Sequence, residues 1–177
     1  MRKLSNEELN RISKEEFKDK AKTSIVLVLD NVRSMNNVGS IFRTADAFLL
    51  EAIYLCGITA SPPHREIEKT ALGATSTVAW KYFKYVTDAI QELKRQNYVV
   101  ISVEQTDSSI PLDKFLPSPL KKYALIFGHE MNGISEEAIH LSDLALEVPQ
   151  YGTKHSLNIA VCAGIVGWDI CTKLNQP

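Results

Sequence analysis

Cysteine is scarce in this 177-residue chain: three residues, at 56, 162 and 171, form no Cys-x-x-Cys pair and leave one over. That pattern excludes a disulfide framework and a thiolate metal cluster, and points to reduced thiols in apolar surroundings. Eight glycines and seven prolines are too few for a collagen-like or low-complexity chain. Neither sign of charge is in excess, with 20 Lys+Arg against 21 Asp+Glu and a net charge of −1. This excludes a broadly basic binder, so any nucleic acid must be held by a local patch. Long apolar runs are missing too. The longest stretch free of ionised groups, Ser156 to Trp168, has 13 residues and contains Asn158. It is too short to span a bilayer and reads as a core helix. No secretory signal pattern opens the chain. These absences predict a soluble, cytoplasmic protein with one globular domain large enough to bury a core.

What is present begins with a polar segment. Residues 1–22 carry seven Lys/Arg, five acids and few large apolar side chains, among them Leu4, Leu9, Ile12 and Phe17. Ser5 with Glu8 makes a capping box, which predicts a polar helical extension over 1–22, lying outside the core. From Ser24 the texture changes. Ile25–Leu29 is a continuous apolar run, as in a strand buried on both faces, and similar runs recur at 52–56, 98–103, 123–127 and 144–148. Between them lie helical patterns at 36–49, 87–96, 135–141 and 156–173. Alternating strands and helices predict an α/β fold with a mainly parallel sheet over 23–177.

In such sheets ligands bind beyond the carboxyl ends of the strands. Three strands here run into polar loops, at 30–43, 128–135 and 149–158. In the first, Val38, Ile41, Phe42, Ala45, Phe48 and Leu49 give a core-facing helical stripe, with Asn36 or Asn37 as the N-cap. Asn36, Ser40 and Arg43 fall on the opposite face, and Arg43 leans back toward the strand tip. The second loop has Gly128 and Gly133 at phosphate-loop spacing, but Ile134 stands where the lysine must be. Its glycines point to close backbone approach by a ligand that is not a polyphosphate, and Glu130 between them is placed to bond an arginine or a ribose. The third loop enters a helix apolar almost all round, with Ala160/Gly164 and Ala163/Gly167 as small pairs. Its outer side is covered either by a second subunit or by one large core. Ser156 at its start reads as a cap.

Taken together, the three loops resemble the three motifs of the SpoU/TrmH family of RNA ribose 2′-O-methyltransferases, in the SPOUT superfamily. Asn37 to Arg43 in NNVGSIFRTADAF resembles the first motif, ALIFGHEMNGIS the second, and VPQYGTKHSLNIAVCAGI the third. KTALGA (Lys69–Ala74) is also similar, and the resemblance spans about residues 24–173. It implies a C-terminal deep trefoil knot, a homodimer, and S-adenosylmethionine as methyl donor, held largely by backbone at Val103, Gly128, Val148 and Leu157. It further implies RNA as substrate (tRNA or rRNA) and a catalytic set of Arg43, Asn37, Glu130, Ser156 and Asn158. Because a guanidinium stays protonated, Arg43 is expected to stabilise the developing alkoxide, with Asn37 orienting it and Glu130 holding Arg43 or the target nucleotide.

Two positions depart from the family pattern: Leu49 follows Phe48 where glycine is common, and Met131 replaces a usually small residue. The chain resembles the short form without an appended RNA-binding domain. RNA contacts are expected from Arg33, Arg43, Lys154, the Arg65–Lys84 segment and the N-terminal helix. No metal is expected, since His64, His129, His140 and His155 lack ligand spacing. A non-catalytic RNA-binding relative and a base-methylating enzyme are the alternatives.

Overall fold

The computed structural model describes residues 1–175 apart from Asn6. Seven strands form one sheet: β1 (Thr23–Asp30), β2 (Leu50–Cys56), β3 (Ala79–Phe83), β4 (Tyr98–Val103), β5 (Ile110–Pro111), β6 (Lys122–Phe127) and β7 (Leu144–Glu147). Their order is β3-β2-β1-β6-β4-β7-β5, and every neighbouring pair is parallel. Six helices accompany them: α1 (Lys14–Asp19), α2 (Met35–Ala47), α3 (Arg65–Ala71), α4 (Val86–Arg95), α5 (Glu136–Leu141) and α6 (Ile159–Leu174).

The apolar run of β1 shows why the sheet is central. Ile25, Leu27 and Leu29 point to one core, with Ile41 and Phe42 of α2, Ile67 of α3 and Val166 of α6. Val26 and Val28 point to the other, with Ile90 and Leu93 of α4 and Ala138 of α5. Each such side chain contributes about 1.5–3 kcal/mol by leaving water. The result is a three-layer α/β/α domain, as the alternation of elements predicts.

Several expectations need correction. The Ser5–Glu8 hydrogen bonds form (2.8 and 3.4 Å), but they close a turn. The helix starts later, capped by a second box between Ser13 and Glu16 (2.6 and 3.1 Å). Nor does the whole extension lie outside the core, because Phe17 is buried in the β1–α2 core. The cap of α2 is Ser34, whose Oγ accepts from the Asn37 N–H at 3.3 Å. That frees the Asn37 side chain for longer-range bonds. Strand β3 carries an exposed, non-alternating pattern, so its apolar content gave no strand signal.

Because all strands are parallel, their carboxyl ends open on one edge. β6 is inserted between β1 and β4, so the loops after β1, β6 and β7 meet at that edge.

Candidate active site

The loop after β1 is fastened to the loop after β6 by two carboxylates acting in opposite directions. Glu130, on the second loop, accepts from the backbone N–H groups of Arg33 (3.0 Å) and Ser34 (2.9 Å) and from the Asn37 side-chain amide (3.0 Å). Asp30, buried at the tip of β1, accepts from the Ser135 N–H (2.9 Å) and Oγ (2.6 Å) on the second loop, and from Asn31 Nδ2 (2.8 Å). Sequence reasoning missed Asp30. Its signal was an acid closing a strand buried on both faces, which needs designed partners to stay there.

The third loop joins through Asn158. Its Oδ1 caps α6 by accepting from Ala160 N (2.9 Å) and Val161 N (3.3 Å), and its Nδ2 donates to Asn37 Oδ1 at 3.2 Å. Asn37 thus links Glu130 to Asn158 across the three loops. The cap of α6 is therefore Asn158 rather than Ser156, which stays exposed in the preceding loop.

Beside this network lies a cavity of about 600 Å³, within the size of small-molecule sites. Val103, Gly128, Val148 and Leu157 all line it, as do Glu130, Ser156 and Asn158. Leu146 and Ile159 add apolar wall, and Glu104 adds a carboxylate that accepts from Gln105 N (3.1 Å) and Ile134 N (3.2 Å). The Gly128–Gly133 turn is closed by paired His129 and Gly133 backbone bonds of 2.9 and 2.8 Å.

Arg43 lies elsewhere. It is exposed and lines a second groove of about 650 Å³ with Ser40, Lys69, Leu72 and Gly164. Six residues of helix place it about 9 Å beyond Asn37. Among the described residues neither Glu130 nor Asn37 bonds its guanidinium; both are engaged with loop groups instead. Of the expectation that Asn37 orients Arg43 and Glu130 holds Arg43 or the target nucleotide, the Arg43 contacts are absent among the described residues, and a loop clasp stands in their place.

Burial pushes the Glu130 carboxyl up, but the N–H groups of Ser34 and Arg33 and the Asn37 amide outweigh it and hold it below the ordinary glutamate range. Because the folded value is depressed, the clasp contributes fully above the unfolded value of about 4.3 and is lost as pH falls through the folded one. Glu130→Gln should remove that acid-side dependence and lower stability by about 1–2 kcal/mol. Urea unfolding of both proteins between neutral and acidic pH checks it; parallel pH curves would contradict the clasp. Burial, then Glu104, pushes the Cys162 thiol up to about 11, and burial pushes Cys171 up to about 11, which disfavours the thiolate at both.

A parallel α/β sheet with three strand-end loops clasped around one cavity is the architecture that the chain shares with a known protein family. The sequence model of the SpoU rRNA Methylase family matches residues 24–168, and the chain belongs to that family. A tRNA (guanosine(18)-2'-O)-methyltransferase of Borreliella burgdorferi is 26% identical over 152 residues, covering 86% of this chain and 68% of the relative. A 23S rRNA (guanosine-2'-O-)-methyltransferase of Neisseria meningitidis is 27% identical, covering 80% and 56%. The chain therefore spans roughly two thirds or less of the length of these relatives. Among solved structures, the AdoMet-bound rRNA methyltransferase of Sinorhizobium meliloti superposes with a TM-score of 0.80 at 25% identity, covering 90% of this chain and 61% of that one. The TrmH/SpoU tRNA modifying enzyme of A. aeolicus gives 0.78 at 22% identity, covering 90% and 79%, and supports the fold.

Proposed function

We propose that this chain transfers the methyl group of S-adenosylmethionine to a ribose 2′-hydroxyl of tRNA or rRNA. The observation that carries the reading is the convergence of the three family motifs, through Glu130, Asn37 and Asn158, on one cavity of suitable volume. The cavity's lining fits the donor: apolar wall from Leu146, Val148, Leu157 and Ile159, with backbone polar groups of the glycine turn beside it. When bound, S-adenosylmethionine supplies an electrophilic methyl group on a sulfonium. The chain's own work is to position and to stabilise charge. Val103, Gly128, Val148 and Leu157 hold the donor. Asn37, Glu130 and Asn158 fix the loops that shape the pocket mouth, and Ser156 closes it from the third loop. Arg43 stays cationic and stabilises negative charge growing on the 2′-oxygen, while a phosphate oxygen of the RNA shares the departing proton.

The family topology also implies a deep C-terminal trefoil knot; insertion of β6 between β1 and β4, with α6 packed in the α2 core, supports it. The outer face of α6 supports a homodimer. Val161, Ile165 and Trp168 fall at i, i+4 and i+7 and remain exposed, Trp168 by 59%. Such an apolar stripe on a compact domain marks an interaction face. It flanks Gly164, which shares the Arg43 groove, so a second copy there would bring further residues to Arg43. Among the described residues no helix is long and apolar enough to cross a membrane.

Methyl transfer from labelled S-adenosylmethionine to total tRNA and rRNA, with mapping of the modified atom, tests the activity. Label on a ribose 2′-oxygen is the expected result. Label on a base, or donor binding without transfer to any RNA, would defeat it. The dimer is tested by Trp168→Glu, which should weaken association by about 30-fold or more. Sedimentation should give a dimer mass for the wild type and a monomer mass for the variant; a monomeric wild type contradicts the interface.

A further inference from the structure

The same sheet edge carries a second feature, built partly from cations expected to contact RNA. Beyond the tips of β1, β2 and β3 stand Arg33, Ile58, Lys84 and Tyr85, and Arg65 opens the helix that follows the loop after β2, all exposed. Arg33, Arg65 and Lys84 make no ion pair with a carboxylate among the described residues, whereas Lys81 on the same edge strand is held by Glu92 at 2.6 Å. Asp88, in the first turn of α4, is the carboxylate closest in sequence to Lys84, and it sits where it complements the helix dipole.

Aromatic faces are interleaved with these cations. Tyr85 is 56% exposed and Tyr82 is 51% exposed. The Tyr82 hydroxyl donates to the Gly57 carbonyl at 3.0 Å, which fixes that ring at the β2–β3 tip. Lys84 Nζ lies 5.1 Å from the Tyr85 ring centroid. Parallel strands sit about 4.8 Å apart, so the end of β3 is about 10 Å from that of β1, where Glu130 clasps the first loop. A strand of nucleic acid leaving the cavity mouth can reach it.

We propose that the β1–β3 tips form a subsite for single-stranded RNA flanking the target ribose, with bases stacked on Tyr85 and Tyr82 and phosphates held by Lys84 and Arg33. The inference rests on RNA being the substrate. Exposed aromatic faces beside cations that lack a carboxylate partner suit this occupant, because every base has a face to stack and every nucleotide a charge to neutralise. The chain's net charge of −1 makes such a local patch the means of attraction available to it.

The test uses the full chain, Lys84→Ala, Tyr85→Ala and the double variant, with the RNA identified by mapping. Steady-state methyl transfer is paired with fluorescence anisotropy of that RNA, or of bulk tRNA and rRNA fragments if transfer is absent, across a salt series. In the double variant the RNA Kd and KM should rise about tenfold, with kcat and donor KM within about twofold. Lys84→Ala should reduce the log–log salt slope by about one. Unchanged RNA affinity overturns the subsite. So does a change in sedimentation mass with RNA affinity intact, which assigns the surface to a protein partner. Wild type that binds RNA but transfers no methyl group defeats the enzymatic reading alone, and anisotropy still decides the subsite. Wild type that binds no RNA defeats both.

Discussion

Arg43→Ala is expected to lower kcat for methyl transfer by about 10²–10³-fold while S-adenosylmethionine affinity stays within about threefold. The separation follows from where Arg43 sits. It lines the groove with Lys69 and Gly164, outside the cavity whose walls include Val103, Gly128, Val148 and Leu157. Removing it leaves the donor's walls and the Glu130–Asn37–Asn158 network untouched, since that network does not include the guanidinium. On the proposed reading, what is lost is a cation beside the 2′-oxygen, and charge that develops in the transition state is where such a group acts. Arg43→Lys keeps the charge but not the planar fork, so an intermediate rate is expected. Donor binding by calorimetry and single-turnover rates on the mapped RNA check both. A variant with full turnover removes Arg43 from the chemistry; one that loses donor binding in step with rate makes it part of the cavity instead.

The arrangement behind that prediction was unevenly legible in the sequence. The buried strands were readable because an apolar run as short as Ile25–Leu29 is too brief for a buried helix and too apolar for a loop. Those residues are indeed buried on both sheet faces. Helices α2 and α4 were readable from their stripes; Ile41, Phe42, Ile90 and Leu93 all face a core. Strand β3 was not, because it is an edge strand with Ala79, Lys81 and Tyr82 in solvent. Its existence depends on pairing with β2, from Ala52↔Ala79 to Cys56↔Phe83. Pairing of that kind is a tertiary fact with no local pattern.

At the site, residue types were legible and partnerships were not. Polar residues clustered at strand ends mark a binding edge, but which carboxylate meets which donor depends on how loops 93 to 105 residues apart converge. Glu130 therefore reads from sequence as a partner for an arginine or a ribose, whereas in the fold it accepts from two backbone N–H groups of the first loop. The N-cap shows the same limit. Asn36, Asn37 and Ser34 are all good caps by type, and only the geometry assigns the role to Ser34, leaving Asn37 free to bridge the loops.

The second large effect is expected at Gly128. A Cβ built there would fall inside the contact distance of the Gly133 carbonyl and the Ile134 nitrogen, both backbone. That backbone has little freedom to yield. His129 and Gly133 exchange hydrogen bonds of 2.9 and 2.8 Å, Glu104 accepts from Ile134 N at 3.2 Å, and Asp30 holds Ser135 N at 2.9 Å. Gly133 also has a φ of +69°, so its conformation is itself specific. Gly128→Ala should therefore cost about 2–3 kcal/mol of stability and lower Tm by about 5–10 °C. It should also weaken S-adenosylmethionine binding more than tenfold, about 1.4 kcal/mol or more, because the displaced turn is one wall of the cavity. Gly152→Ala, in the third loop with open space around its Cβ position, is the matched control and should stay within about 0.5 kcal/mol of wild type. Calorimetric melts and donor titrations of the two variants separate the cases. A Gly128→Ala protein that melts and binds donor like Gly152→Ala would mean that the turn accommodates a side chain, and that the donor is held somewhere other than against it.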